Sequence, residues 1–203
     1  MSAVPNRETF ASIYTGKAPW DIGRPQREFV AVADRVNGEV LDAGCGTGEI
    51  ALFFATAGHP VLGIDFLDFP IAEAKRKAQE RRVPAEFQQA DALTLSTFER
   101  QFDTVIDSGL FHVFSDEDRA RYVAGLAHVT RPGGRLILLC FSDQEPGTQG
   151  PRRVSRQELE QAFANGWVAE EIRAARFEVV TDLKDFSFSE EGPKAWLAVL
   201  RRQ

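Results

Sequence analysis

The chain has little of what disulfide-stapled, metal-holding or membrane-spanning proteins need. Its 203 residues include two cysteines, Cys45 and Cys140, which cannot build a disulfide framework or fill a structural zinc site by themselves. No HxxxH, CxxC or clustered-carboxylate pattern offers a metal site, and none is expected. The longest apolar stretches, such as 136–141, are strand-sized, well short of the roughly 20 residues that span a bilayer. The opening MSAVPNRETF has no charged segment leading into an apolar one, so no secretion signal is read there. A reducing, cytoplasmic setting is the expectation. Basic surface is scarce too. Lys and Arg number 24 against 30 Asp and Glu, a net charge of −6, and the pairs Arg81-Arg82, Arg152-Arg153 and Arg201-Arg202 are scattered among acids. A protein that tracks phosphates carries a basic stripe. The expected partner is therefore a small molecule, with no nucleic acid and no membrane involved.

What is present is ordinary globular material, 43% hydrophobic and 27% charged, of a length suited to one domain. Repeats and low-complexity tracts are absent, and helical and strand-like stretches alternate. Residues 6–15 predict a short helix with Phe10, Ile13 and Tyr14 on one side, followed by turn-rich sequence and a helix over 25–36 that stops near Asn37-Gly38. Strands are expected at 39–42, 61–64, 85–90, 102–107, 135–141, 167–173 and 195–200. Helices are expected at 49–57, 69–82, 116–130 (capped by Ser115) and 155–164, with a turn at Pro132-Gly133-Gly134 and a polar loop over 142–154. The pattern predicts a single Rossmann-like α/β domain: a seven-stranded, mostly parallel sheet with helices on both faces and an antiparallel hairpin of the last two strands. Residues 1–37 form an N-terminal cap and 38–203 the core.

The sharpest local signal is Val40-Leu41-Asp42-Ala43-Gly44-Cys45-Gly46-Thr47-Gly48-Glu49, a buried strand that runs into glycines and opens a helix. Such a turn lets a ligand approach the backbone at the carboxyl edge of the sheet. Asp65, 21 residues after Gly44 at the end of the second strand, is placed to accept hydrogen bonds from ribose hydroxyls. A dinucleotide and S-adenosylmethionine both fit this pair of features. The spacing separates them, because the run is GxGxG rather than GxGxxG. Asp42 also suits the ammonium of a methionine moiety and opposes a pyrophosphate.

VLDAGCGTGE resembles the first motif of the class I S-adenosylmethionine-dependent methyltransferases, and the likeness extends over most of the chain. GIDF (63–66) is similar to the second motif and QADA (89–92) to the third; FDTVID (102–107) and RPGGRLILL (131–139) resemble later ones. The resemblance implies Asp42, Gly44, Cys45, Gly46 and Gly48 around the cofactor, Asp65 on its ribose, Phe66 beside the adenine, Asp91 near the adenine amino group and Ala92 behind it. Asp107 closes that set. Outside the shared core, Tyr14…Gly16…Pro19-Trp20-Asp21-Ile22-Gly23-Arg24-Pro25-Gln26, together with Asp107-Ser108-Gly109-Leu110-Phe111-His112, is similar to small-molecule methyltransferases of the thiopurine, halide/thiol and tellurite type. It is most similar to bacterial enzymes that cap quinones, quinolones and related heterocyclic toxins. In such relatives the tryptophan lies against the cofactor, which places Trp20 there and leads residues 1–24 to order around it.

The implied activity is methyl transfer to O, N or S of a small hydrophobic or aromatic molecule by in-line displacement, in a monomer or homodimer. A nicotinamide-dependent oxidoreductase and a methyltransferase acting on a macromolecule are the competing readings. The glycine spacing disfavours the first. The acidic balance and DSGLFH, where a nucleic-acid enzyme has an NPPY-type tetrapeptide, disfavour the second. Of three histidines, His112 alone follows a strand on the ligand edge, where it is the candidate general base. Sixteen phenylalanines against two tyrosines leave Tyr14, Phe111, Phe114 and Phe141 as candidate walls of a flat acceptor site.

Overall fold

The computed structural model of the chain describes residues 7–14, 18–180 and 188–203. Gly16 and the outer parts of the expected cap (1–6 and 15–17) lie outside the described residues. The N-terminal segment contributes α1 (Arg7–Tyr14) and α2 (Arg27–Ala31). The core alternates β1 (Val40–Ala43), α3 (Glu49–Thr56), β2 (Val61–Asp65), α4 (Asp68–Arg81), β3 (Glu86–Gln89), β4 (Phe102–Ser108), α5 (Asp116–Val129), β5 (Thr130–Phe141), α6 (Arg156–Ala162), β6 (Trp167–Arg176) and β7 (Lys194–Arg202). The strands lie in the order β3-β2-β1-β4-β5-β7-β6. The first five are parallel, and β7 runs antiparallel to both β5 and β6, as the alternation predicted.

Every residue of β1 is buried, because helices cover both faces of the sheet and leave the central strand no polar side. One face packs Phe29 and Val32 of the N-terminal segment with Leu52 and Phe54 of α3 and Ile71 and Ala74 of α4. The other packs Tyr122 and Leu126 of α5 with Leu159 of α6. The two later helices start where serine can cap them. The Ser115 hydroxyl accepts from the Asp118 amide, and Ser155 forms a reciprocal capping box with Glu158.

Two elements differ from expectation. The helix expected over 25–36 is a five-residue α2 followed by a 3₁₀ turn at Ala33–Arg35. Gln26 makes no side-chain cap there, because its amide is engaged with Glu178 instead. Pro132-Gly133-Gly134 does not precede β5 but lies within it as a bulge, with the register jumping from Phe102↔Thr130 to Thr104↔Arg135. Gly133 takes φ +82°, and Arg131 on the bulge reaches Asp103 and Glu39.

Order reverses between β1 and β4, and their parallel register pairs Ala43 with Asp107. The glycine turn thus sits beside Ser108 at the carboxyl edge, at the switch point where open α/β sheets bind ligands.

Candidate active site

The turn after β1 is pinned by two amides, Gly44 and Cys45, which both donate to the Ile64 carbonyl at 2.9 and 2.8 Å. Gly46 adopts φ +52°, and a Cβ there would stand 3.0 Å from the Tyr14 hydroxyl, so glycine is what lets that side chain lie close over the backbone. Asp65 completes the corner. Its Oδ2 accepts from Gly46 N–H at 3.1 Å and its Oδ1 from Leu67 N–H at 3.0 Å, which leaves each oxygen a lone pair free. Burial pushes its carboxyl above the usual range against those two amides. At the start of α3, buried Glu49 takes a two-pronged contact from Arg81 and a third from Lys77. Lys77 also donates to Thr47, whose hydroxyl donates to Asp21 of the cap.

Asp42 lies under the turn, about 1% exposed, and its Oδ2 has no hydrogen-bond partner. Burial, opposed by the Ala51 amide and reinforced by the charges of Asp107 and Asp65, lifts its carboxyl from 3.8 to about 7. A buried carboxylate oxygen without a donor is costly. It faces a cleft of ≈ 60 Å³ lined from the core by Asp42, Gly44, Cys45, Gly46, Thr47 and Ser108, and from the cap by Tyr14, Trp20, Arg24 and Gln26. Trp20 Nε1 donates to the Tyr14 hydroxyl at 3.2 Å, and the Phe10 ring meets those of Trp20 and Phe66 edge-on. Small-molecule sites measure roughly 300–1,000 Å³. The cleft as it stands is therefore well below the size a nucleoside needs, with Tyr14 and Trp20 among the side chains that narrow it.

Half-buried Phe66 follows Asp65, and Asp91 caps the next turn with Oδ1 accepting from Leu93 N–H, Ala92 being buried behind it. Gly48 opens α3, its α-carbon packed against Ala74 and Phe87 rather than facing the cleft.

Asp107 lies at the same edge of the sheet, opposite Ala43, but its carboxylate is turned to the protein's own donors. It is fully buried, its oxygens accepting from the amides of Leu110 and Phe111 and from the Tyr122 hydroxyl. Burial lifts it to about 7 against these bonds. Its work is to shape the 109–112 turn, with no oxygen left for the cofactor. Phe111 is likewise core: it lies against Phe163, with the Arg119 guanidinium 4.5 Å above its ring, and Phe114 packs on Tyr122. Neither lines the cleft, because the 3₁₀ turn at Phe111–Val113 rolls both side chains under α5.

The same turn delivers His112 to the opposite side, where it forms a cluster with Phe141, Phe177 and Phe188. Phe141 N–H donates to His112 Nδ1 at 2.9 Å, so the neutral ring carries its proton on Nε2, facing Gly109. Burial, with the charges of Arg119 and Arg153, holds the imidazole down at about 3. The cleft-lining Asp21, Arg24, Gln26 and Ser108 were missed from sequence, where they stood inside quoted stretches without a role, and the packing of Phe177 and Phe188 in this cluster was not foreseen. Among the described residues no group of three or more metal-ligating side chains occurs, and no helix is long and apolar enough to cross a membrane.

A Rossmann-like sheet with a glycine turn at its switch point, an acid under that turn and a second acid at the end of the next strand defines a nucleoside-cofactor enzyme. Comparison with known proteins narrows the class. The methyltransferase-domain family matches residues 40–134. The 2-heptyl-1-hydroxyquinolin-4(1H)-one methyltransferase of Mycobacteroides abscessus is 35% identical over 183 residues, 84% of this chain and 81% of the relative. A solved enzyme of echinomycin biosynthesis, which converts a disulfide bond into a thioacetal group, superposes with a TM-score of 0.84 at 36% identity, covering 98% of this chain and 93% of the other. The S-adenosylmethionine-bound magnesium protoporphyrin IX methyltransferase of Synechocystis shares the fold at 23% identity and a TM-score of 0.63, over 87% of this chain and 76% of its own. The chain belongs to the S-adenosylmethionine-dependent methyltransferase family.

Proposed function

We propose that the enzyme methylates an O, N or S atom of a small, flat, hydrophobic molecule, one whose reacting atom ionises readily. The orphaned Asp42 Oδ2 carries the cofactor half of this reading: three carboxylates, Asp42, Asp65 and Asp107, gather at one edge of the sheet, and one of their oxygens lacks a donor that a cationic ligand supplies. Asp42 and the Gly44–Gly46 backbone would hold the methionine end, Asp65 the ribose, and Phe66, Asp91 and Ala92 the adenine, with Cys45 alongside and Trp20 covering. The group supplies an activated methyl for in-line displacement. The protein's part is to hold the acceptor atom about 3–3.5 Å from it in line, and to keep water out.

Ser108, His112 and Phe141 stand on the acceptor side. His112 contacts the acceptor as a hydrogen-bond donor through Nε2, since Phe141 N–H occupies the nitrogen a base needs free. An acidic phenol, enol, thiol or N-hydroxy heterocycle arrives already ionised and asks for a donor rather than a base. The mycobacterial relative is named for a hydroxyquinolone and the echinomycin enzyme for sulfur chemistry, which supports this class of acceptor. Two unpaired cysteines suit the reducing cytoplasm. The test is S-adenosylhomocysteine release across thiols, phenols, hydroxyquinolones and halides. Turnover of an ionisable heteroaromatic is expected. A protein that binds S-adenosylmethionine yet releases nothing across the panel would refute the acceptor assignment.

A further inference from the structure

The geometry points to Glu178 as a positioning residue that latches the acceptor wall to the cofactor cap, so that a filled cofactor cleft firms the surface the acceptor meets. This inference rests on the placement of cofactor and acceptor proposed above.

Phe177 and Glu178 are neighbours in the chain with contacts on opposite sides. The Phe177 ring lies 5.8 Å from that of His112 and 5.2 Å from that of Phe141, and it limits the space at Gly109. Glu178 turns to the cap. Its carboxylate takes both prongs of Arg24, at 2.8 and 3.0 Å, and the Arg27 amide at 2.8 Å. Its backbone is gripped separately: Gln26 Nε2 donates to the Glu178 carbonyl at 2.8 Å, and Glu178 N–H donates to Gln26 Oε1 at 2.7 Å. Two residues on, Val180 N–H donates to the carbonyl of Pro19, the neighbour of Trp20. Arg24 and Gln26 are themselves cleft-lining residues. The path from cleft to acceptor wall is thus one side chain long on each side of Glu178.

Stability alone does not account for this arrangement. Arg24 is 59% exposed, and an ion pair with a solvated partner adds little to folding. The bonds instead fix register: a two-pronged guanidinium and a two-point amide hold Glu178 at one position relative to Arg24 and Gln26. When Tyr14 and Trp20 resettle over a nucleoside, Arg24 and Gln26 move with them, and the latch passes that ordering to Phe177 and from there to the His112 ring. Coupling of this kind is a differential free energy between two sites, and it acts in both directions.

Hydrogen exchange of the full chain with and without S-adenosylhomocysteine reads the coupling without any acceptor. The proteins are wild type, Glu178→Gln, Arg24→Gln and the double variant; glutamine keeps the shape of Glu178 and cannot hold the guanidinium ionically. In wild type the ligand is expected to slow exchange at 40–48, 109–112 and 177–180, the distant segments by about 5–150-fold, the usual span of allosteric coupling. Each single variant, assayed at a ligand concentration that saturates it, shows the protection at 40–48, which also reports that it is folded, and loses most of it at 109–112 and 177–180. The double variant matches the singles, because one contact is removed either way. Should Glu178→Gln misfold, Arg24→Gln decides. Variants that transmit protection as wild type does overturn the latch, as does a wild type protected at 40–48 alone. Missing protection at 40–48 in wild type would overturn the cofactor placement, and with it the latch that depends on it.

Discussion

Replacing Asp42 with asparagine is expected to stabilise the unliganded protein and to weaken its hold on the cofactor, with the first effect growing with pH. The carboxyl moves from an ordinary 3.8 to about 7 because it is buried under the glycine turn with one oxygen unpartnered. In the unfolded chain Asp42 loses its proton near pH 4, whereas in the fold it keeps the proton until about pH 7. The folded state binds more protons across that window, so the contribution of Asp42 to stability falls as pH rises from about 4 to 7 and is level above. At about 1.4 kcal/mol per unit, the ionised group costs the free fold about 4 kcal/mol at pH 8. Asparagine has nothing to ionise. Between pH 5 and 8 the stability gap between Asp42→Asn and wild type should therefore widen by about 2–3 kcal/mol, or roughly 5–10 °C in Tm for a chain of this length. Asp107 is lifted in the same way in both proteins, and removing its charged neighbour only adds to the gap in the same direction.

The cofactor arm runs the other way. A charge-assisted hydrogen bond to the carboxylate is worth about 1.5–3 kcal/mol, so the variant should bind S-adenosylmethionine about tenfold to a hundredfold more weakly. Thermal or urea unfolding of both proteins at pH 5, 6.5 and 8, with and without saturating cofactor, tests both arms. A stability gap that stays constant with pH refutes the buried-acid argument, and an unchanged affinity refutes the assignment of Asp42 to the cationic end of the ligand.

Three further outcomes can be measured. Asp65→Ala should abolish most of the cofactor-induced thermal shift, about 2.7 kcal/mol in wild type at 100 times the dissociation constant, whereas exposed Asp91, already engaged with the Leu93 amide, should matter less; equal losses from both alanines would contradict the division of ribose and adenine roles. Tyr122→Phe removes one donor from buried Asp107 and should cost about 1–3 kcal/mol in urea unfolding, with a rise in exchange at 109–112; an unperturbed turn would show that the Leu110 and Phe111 amides alone hold it. His112→Ala should lower turnover of weakly and strongly acidic acceptors alike and leave the shape of the pH–rate profile unchanged, with His112→Gln recovering part of the rate as a neutral donor; a loss of about 10²–10⁴-fold confined to the weakly acidic acceptor would restore His112 as the general base.

How much of this could be read from the chain follows from the distance over which each part is built. Asp42, Gly44, Gly46 and Asp65 were legible because a strand, a tight turn and the next strand impose short spacings: the bond from Gly46 to Asp65 spans 19 residues. The acceptor side obeys no such rule. The family resemblance put Asp107 on the cofactor and the aromatic count put Phe111 at the acceptor, but Asp107 is taken up by the 109–112 turn and Tyr122, and the 3₁₀ turn beyond Ser108 sends Phe111 under α5 and His112 into a buried cluster with Phe141 and Phe177. The tautomer of His112 depends on an amide 29 residues away, and the pairing of Gln26 with Glu178 spans 152 residues. Before the fold is known, Gln26 is one residue of the helix expected over 25–36 and Phe177 one more phenylalanine of the core. The glycine turn and its acids serve one cofactor and are read locally. In the placement proposed above, the groups that would meet the acceptor are His112, Phe141 and Phe177, assembled from the ends of β4, β5 and β6. Exchanging Phe141 or Phe177 with the residue of a relative that prefers another acceptor is therefore expected to shift acceptor preference while cofactor affinity stays put, whereas exchanges within 40–48 move cofactor affinity and leave the order of preferred acceptors intact.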